Sequence, residues 1–509
     1  MANGATNLKP QLEQQRGILK WIETVGNKLP HPFMLFVILC LALMVISAIL
    51  SAMNLSVVHP GKGEAVAVKS LLSVEGIHWI LTSMLKNFIE FPALGLVLAM
   101  TLGIGLAEKV GLLTSVLRKM MARVPKAIVS YAVVFVGVLG NLASDAAMVI
   151  IPPLGGLVFL AMGRHPIAGF AAGMAGVSSG FTANLFIAGT DALLSGISTE
   201  VARTIDPNAV VTPVDNWFFM SASVFFLAFA GGWITDKIIE PRLGTYQGDR
   251  NVQFDELTLQ ENKALRHAGI AALVFVVILA LLVVPEGALL RDPKTGDFLT
   301  SPFLKGIIPI ILLFFVTVSY VYGRAMGLMK TSKDMPHYMS EAIKDMSGFI
   351  VLAFTAAQFI AFFNWSNIGI LMAVNGAEFM KSVGLTGLPV VIAFSLFTGI
   401  CSLFITSGSA LWAILAPVFM PMLMLLDYHP AFIQVAYRIA DSATNTISPV
   451  NPYLPLILAF YQKYNKNAGM GTIFSTMMPY AIVFLVIWLI QMAIWYYAGL
   501  PVGPGVYPR

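Results

Sequence analysis

Residues 165–184 read HPIAGFAAGMAGVSSGFTAN, and residues 429–448 read HPAFIQVAYRIADSATNTIS. A shift of 264 residues carries His165-Pro166 onto His429-Pro430, and the same shift holds without gaps over a longer stretch. It places Pro125 on Pro389, Ala146 on Ala410, Ile150 on Ile414, Pro153 on Pro417, Ala172 on Ala436, Ser178 on Ser442 and Thr182 on Thr446. Two greasy runs would share some letters by chance. Chance does not explain one register that superposes two polar tips, two His-Pro junctions and two broken apolar runs. The copies also differ. Met174, Val177 and Phe181 of the first become Arg438, Asp441 and Asn445 in the second, with Pro449 and Pro452 beyond.

Composition says where such a repeat can live. Of 509 residues, 57% are hydrophobic and 11% charged, against about 25% charged in an ordinary soluble domain. Many apolar runs reach the roughly 20 residues that span a bilayer. The net charge of +5 is scattered over loops, which reads as topology information and not as a nucleic-acid surface. Cys40 and Cys401 sit far apart in apolar runs, with no spacing suited to a metal site or a disulfide framework. About thirty polar residues precede the first apolar run, unlike a cleaved signal peptide, so 31–53 reads as a retained span.

Lysine and arginine in short loops mark the cytoplasmic side. Lys9, Arg16, Lys20 and Lys28 place the N-terminus inside. Spans are then expected at 31–53, 86–107, 166–195, 217–236, 267–285, 306–323, 346–363, 429–460 and 478–499. The loop 54–85, with Pro60 and Gly61, lies outside, RDPKTGD is an outside turn, and Arg123 and Arg250 belong to inside clusters. Two stretches, near 127–163 and 388–426, are too short for two spans and a turn, and they carry polar centres, GNLASDAA and TSGSALW. Each reads as a re-entrant hairpin, since irregular backbone at membrane depth must face protein or a water-filled cavity. The expected fold is an all-α polytopic membrane protein with nine spans, two opposed hairpins and a periplasmic C-terminus. The divisions are a cytoplasmic segment 1–30, a first half 31–236, a cytoplasmic linker 237–266, a second half 267–499 and a tail 500–509. The two copies run in opposite orientations. Inverted repeats with paired broken helices are the architecture of secondary transporters, whose sites lie near the midplane where the breaks meet.

Arg438, Asp441 and Asn445 share one helix face. A charge at the bilayer centre costs about 2.5–3.5 kcal/mol on insertion scales unless it is paired or hydrated. One reading is an Arg438–Asp441 ion pair that holds helices together. The other gives Arg438 an anionic substrate, with Asp441 orienting it or helping to bind a coupling ion. Pro449 and Pro452 lack N–H donors and free upstream carbonyls. With Pro430, Gly176 and Gly180 they mark the breaks. Asn141, Ser144, Asp145, Ser178, Thr182, Asn184, Ser407, Ser442 and Thr446 offer the hard oxygen atoms that suit Na⁺. The alternative for the Asn141–Asp145 tip is a hydrogen-bonded turn, which these residue types also favour. Asp191 is either part of the site or a residue near the outer interface, and Trp412 either packs or stacks an aromatic substrate. No Walker, HExxH or CxxC motif is present, so neither ATP-driven pumping nor an enzyme is indicated, and no cofactor is expected beyond Na⁺ as a possible coupling ion.

The blocks GNKLPHPF, SDAAMVIIPPLG, GFTANL, TDALLSGIST, DNWFFMSAS, SGSALWAILAPVFMPMLMLL, RIADS and GLPVGPGVYPR occur in this order almost end to end. By them the chain resembles the bacterial p-aminobenzoyl-glutamate transporter (AbgT) family. The resemblance implies an inner-membrane homodimer in the lipid bilayer, with a bowl open to the cytoplasm. It implies an architecture similar to dicarboxylate/sodium symporters, with elevator-type movement. It also implies transport of p-aminobenzoyl-glutamate, with sulfonamide export driven by the proton-motive force as the alternative. Residue by residue, it places substrate recognition at Ser409, Trp412, Arg438, Asp441, Asn445 and Asp191, with Pro430 and Pro449 on matching positions.

Overall fold

The computed structural model describes residues 25, 28, 30–58, 63–122, 124–248 and 257–509. Lys9, Arg16, Lys20, Arg123, Arg250, Pro60 and Gly61 lie outside the described residues, as do the side chains of Ser144 and Asp145. The fold is mostly helical. Among the described residues, eight helices are long and apolar enough to cross a membrane, with shorter apolar helices beside them. The first, α1 (Pro32–Ala52), has no charge in 21 residues, a rise of about 30 Å. Met34, Ile38, Leu41, Val45 and Ile49 stand exposed along one face of it, an arrangement that suits lipid and not water.

The chain then forms a two-stranded antiparallel ribbon, β1 (Ser56–Val58) with β2 (Ala65–Ala67). It continues through α2 (Val74–Ile89), α3 (Pro92–Met100), α4 (Leu112–Ala122), α5 (Val129–Gly140), α6 (Ser144–Ala161), α7 (Pro166–Met174), α8 (Gly189–Ala202) and α9 (Trp217–Ile234). The second half holds α10 (Leu259–Val283), α11 (Ile307–Met326), α12 (Asp334–Asp345), α13 (Ser347–Trp365), α14 (Ile368–Ser382), α15 (Leu388–Ser402), α16 (Gly408–Met424), α17 (Pro430–Asn445), α18 (Leu454–Tyr464) and α19 (Met470–Tyr497).

The 264-residue repeat reappears in the helix starts. Ser144 of α6 and Gly408 of α16 are 264 apart, as are Pro166 of α7 and Pro430 of α17. The His-Pro junctions have a physical role. His165 Nδ1 accepts the Ile167 N–H and His429 Nδ1 the Ala431 N–H, both at 3.2 Å, while each proline occupies the first helical position, where no N–H is missed. His31-Pro32 starts α1 in the same way.

The first copy packs through glycine. A Cβ on Gly155 of α6 would lie 2.5 Å from the Gly169 carbonyl oxygen of α7, and a Cβ on Gly169 would meet the Phe159 ring. A Cβ on Gly176 would lie 2.5 Å from the Val134 carbonyl oxygen of α5. At the end of this block Arg164 pairs with Asp236 at 2.6 Å and also with Glu240, tying the α6–α7 junction to the helix that extends α9. Asp236 also accepts the Ser130 hydroxyl of α5.

Several sequence expectations need correction. The loop 54–85 contains the ribbon and all but the last residues of α2, so the chain is not purely α. Three-residue strands carry too short an alternation to register as a period. The span expected at 86–107 is kinked at Phe91-Pro92, where proline cannot continue the preceding helix. The 237–266 linker is helical at both ends, up to Leu243 and from Leu259, and α19 begins at Met470, ahead of the expected 478. Helices α12 and α14 were not anticipated, because their charged positions interrupt any long apolar run. The turn RDPKTGD is present. Its Asp292 carboxylate accepts the N–H groups of Lys294 and Thr295 and the Thr300 hydroxyl, which hold its pKa down at about 2.

Candidate functional site

Helix α17 is buried along its length, yet Gln434, Arg438 and Asp441 recur on one face of it, with Asn445 at its last turn. Arg438 is wholly buried and reaches three separate elements. Its Nη2 lies 2.6 Å from Asp191 Oδ1 and donates to the Thr182 carbonyl at 2.8 Å. Its Nη1 donates to Asn216 Oδ1 at 3.3 Å, and its Nε–H is buried with no partner.

Asp191 is itself pinned. It stands in the first turn of α8, where Oδ2 accepts the Ala188 N–H at 2.7 Å. The helix N-terminus favours its negative charge, so Oδ1 is presented to Arg438 by a fixed support. Asn216 is fixed too, since its Nδ2 donates to the Ala431 carbonyl at the start of α17. The ion pair that the spacing of Arg438 and Asp441 would allow does not form. Arg438 pairs with Asp191, and both Asp441 oxygens are buried without a hydrogen-bond partner.

Asp441 faces the start of α16. A Cβ on Gly408 would sit 2.8 Å from its Oδ2, so only glycine lets that backbone approach. Tyr437, one turn earlier, donates its hydroxyl to the Gly408 carbonyl. The Tyr437 ring also packs at 4.5 Å on Trp412 of α16. Trp412 is fully buried; its Nε1 donates to the Ser198 hydroxyl of α8, which donates to Gln434 Oε1. One chain of polar contacts thus links α16, α8 and α17. Trp412→Phe, which keeps one aromatic ring but loses the indole donor and part of its volume, is expected to cost about 2 kcal/mol. Trp412→Ala should cost about 3–5 kcal/mol. Thermal melting in detergent checks the difference, and equal losses would contradict it.

The break after α7 meets α17 here, while the break at 446–453 meets the α15–α16 link, where the Ser448 hydroxyl donates to the Leu403 carbonyl. The hydroxyls of Thr182 and Ser442 lie 2.6 Å apart. By the repeat their counterparts are Thr446 and Ser178, and both of those hydroxyls are fully buried with no partner, as is Ser179. Asn141 Nδ2 donates to the Val138 carbonyl and reaches the Gly176 carbonyl at 3.5 Å. Asn184 is buried near the Thr182 carbonyl. Ser407 caps α16 and lies 3.3 Å from Ser409. Asn445 Nδ2 reaches the Thr406 carbonyl at 3.5 Å, and Asn451 reaches back to Asn445. Pro449 and Pro452 lie in the non-helical stretch between α17 and α18. The structure therefore draws Arg438, Asp191, Thr182 and Ser442 together, with Asp441 and Trp412 alongside.

A family profile described as "AbgT putative transporter family" matches residues 17–509. The chain belongs to the AbgT transporter family. It is 50% identical over 500 residues to the p-aminobenzoyl-glutamate transport protein of Escherichia coli K12, covering 98% of each chain. Two solved AbgT structures are similar to it. The YdaH transporter of Alcanivorax borkumensis, described as having an unusual topology, superposes with a TM-score of 0.89 at 40% identity, covering 93% of this chain and all of that one. MtrF of Neisseria gonorrhoeae, described among antimetabolite efflux pumps, gives 0.91 at 43% identity, covering 96% and 100%.

Sequence reasoning missed Asn216, Ser198, Gln434 and Gly408. Gln434 carried a usable signal, since positions 434, 438, 441 and 445 form one polar stripe on an otherwise apolar helix. Asn216 precedes an ordinary apolar span, and nothing local to it points at Arg438.

Proposed function

We propose that this AbgT chain is a secondary active transporter of p-aminobenzoyl-glutamate or related aromatic carboxylates across a bacterial inner membrane. Support for the substrate class comes from the 50% identical relative of that name. The observation that carries the reading is the buried Arg438, held against the break after α7, with Nε still open as a donor. A guanidinium N–H makes a strong charged hydrogen bond to a carboxylate, and the buried Trp412–Tyr437 pair joins α16 to α17, the helix that carries Arg438.

In this reading α5–α6 and α15–α16 are two opposed re-entrant hairpins that complete a set of nine spans. The N-terminus is cytoplasmic and the C-terminus periplasmic. Two copies form a dimer, and each moves its substrate domain by an elevator, as in dicarboxylate/sodium symporters. Na⁺ is the favoured coupling ion. Buried hydroxyls without partners at Ser178, Ser179 and Thr446 are hard oxygen donors that suit it, and a bound cation would relieve them. With Asp441 unpaired beside one Arg438–Asp191 pair, a cation also balances the site's charge.

A second reading, proton-driven efflux of sulfonamide antimetabolites, draws on the 43% identity to MtrF and on Asp441, whose unpartnered carboxyl is suited to carry a proton. Proteoliposome flux of labelled p-aminobenzoyl-glutamate, with Na⁺ and proton gradients imposed separately, distinguishes them. The Na⁺ gradient is expected to drive uptake, with about 2.3 kcal/mol per charge from each 100 mV. Stimulation by a proton gradient alone would overturn the sodium assignment, and failure of sulfonamides to compete would remove the second reading.

A further inference from the structure

The far end of α8 borders a cavity of about 240 Å³, room for on the order of eight waters at about 30 Å³ each. Glu200 and Arg203 line it with Thr204, Asn364 and Asn367, and Val66 of the ribbon forms part of the wall. Glu200 is nine residues beyond Asp191 on the same helix, roughly 13 Å along its axis, so this cavity is separate from the Arg438 site.

Glu200 and Arg203 are three apart, a spacing at which opposite charges usually close on each other. Among the described residues they form no ion pair. Arg203, an exposed residue on the rim, has its Nε on the Ala209 carbonyl at 3.3 Å, and among the described residues its terminal nitrogens form no ion pair. Asn364 uses its Oδ1 on the Thr204 hydroxyl, leaving its NH₂ group. Asn367 uses its Nδ2 on the Ala67 carbonyl, leaving its Oδ1. It is held there by a left-handed backbone, φ 62°. Apart from the Thr204–Asn364 hydrogen bond, the cavity thus gathers a carboxylate, a guanidinium and spare amide groups that make no direct hydrogen bond to one another.

The negative end of the α8 dipole explains Arg203 as a helix-terminal cation. It does not explain Glu200, whose partly buried carboxylate that same dipole disfavours. A ligand bearing a cation and an anion resolves both.

We propose that this cavity binds a small zwitterion of the α-amino acid class, with its carboxylate on the Arg203 fork and its ammonium on Glu200. A polar uncharged side chain would meet the spare amide groups of Asn364 and Asn367.

Ligand-observed NMR on the full-length protein in nanodiscs tests this, with L-glutamine as probe. L-Glutamine is expected to bind. N-acetyl-L-glutamine, which lacks the ammonium, and L-glutamine methyl ester, which lacks the carboxylate, should each bind at least about tenfold more weakly, the loss of one charged hydrogen bond. Glu200→Gln and Arg203→Gln should each weaken L-glutamine binding similarly, while Arg438→Lys leaves it unchanged. Absence of binding to the wild-type protein overturns the proposal, as does equal binding of the capped analogues. Loss of binding in Arg438→Lys with Glu200→Gln unaffected places the amino acid in the central site and overturns it too. The comparison of ligands on the wild-type protein stands even if a variant fails to fold.

Discussion

Arg438→Lys is expected to lower transport of p-aminobenzoyl-glutamate by on the order of 100-fold, although the charge is retained. Arg438 reaches Asp191, the Thr182 carbonyl and Asn216 from two different nitrogens. A lysine offers one nitrogen on a flexible stem and cannot hold both directions. Losing two charged hydrogen bonds at about 1.5 kcal/mol each, the low end for such bonds, gives a factor of this size. Arg438→Ala removes the cation altogether and strands Asp191 among buried groups, a loss of about 3–5 kcal/mol in stability. The two effects separate in a double variant. Arg438→Met with Asp191→Asn replaces the ion pair by neutral groups, which is often close to neutral for folding. That protein is expected to melt near the wild type and still fail to transport. Wild-type uptake by Arg438→Lys would remove the need for several directed donors at this position.

Gly176→Ala should leave little folded protein. Its Cβ would come within 2.5 Å of the Val134 carbonyl oxygen and 2.8 Å of Gly137 Cα. Both obstacles are backbone, so no side chain can swing aside. Overpacking in a tight core costs about 1–3 kcal/mol and more where nothing yields, and here two helices must separate. Gly95→Ala is the control. It sits inside α3 with nothing within 4 Å of the added methyl, where alanine is favoured over glycine by about 1 kcal/mol. Yield and melting temperature of the two variants in detergent decide the matter; equal behaviour would contradict the close packing of α5 on the segment after α7.

Much of this was legible in the chain. The His-Pro junctions at the 264-residue register anticipated the starts of α7 and α17, because such caps act locally. Arg438 and Asp191 could be singled out because charge inside an apolar run is costly. Their pairing could not be read. They lie 247 residues apart, and Asp441, only three positions from Arg438, was the nearer partner on paper. What decides the outcome is the direction in which α17 faces α8, a property of packing between helices that no local pattern encodes. Asn216 was illegible for the same reason.

The glycine contacts in the first copy also set a mechanical condition. At Gly155 against Gly169, and at Gly176 against Gly137, backbone meets backbone with no side chain between them. Helices seated on side chains can slide by swapping rotamers, but surfaces this close have nothing to swap. A shift of one residue would drive Gly169 onto Leu154 or Gly156 and its neighbours Ala168 and Phe170 into the notch. Helices α5, α6 and α7 therefore behave as one brick, whose edge is the irregular chain at 180–188, where regular helix ends before α8 begins.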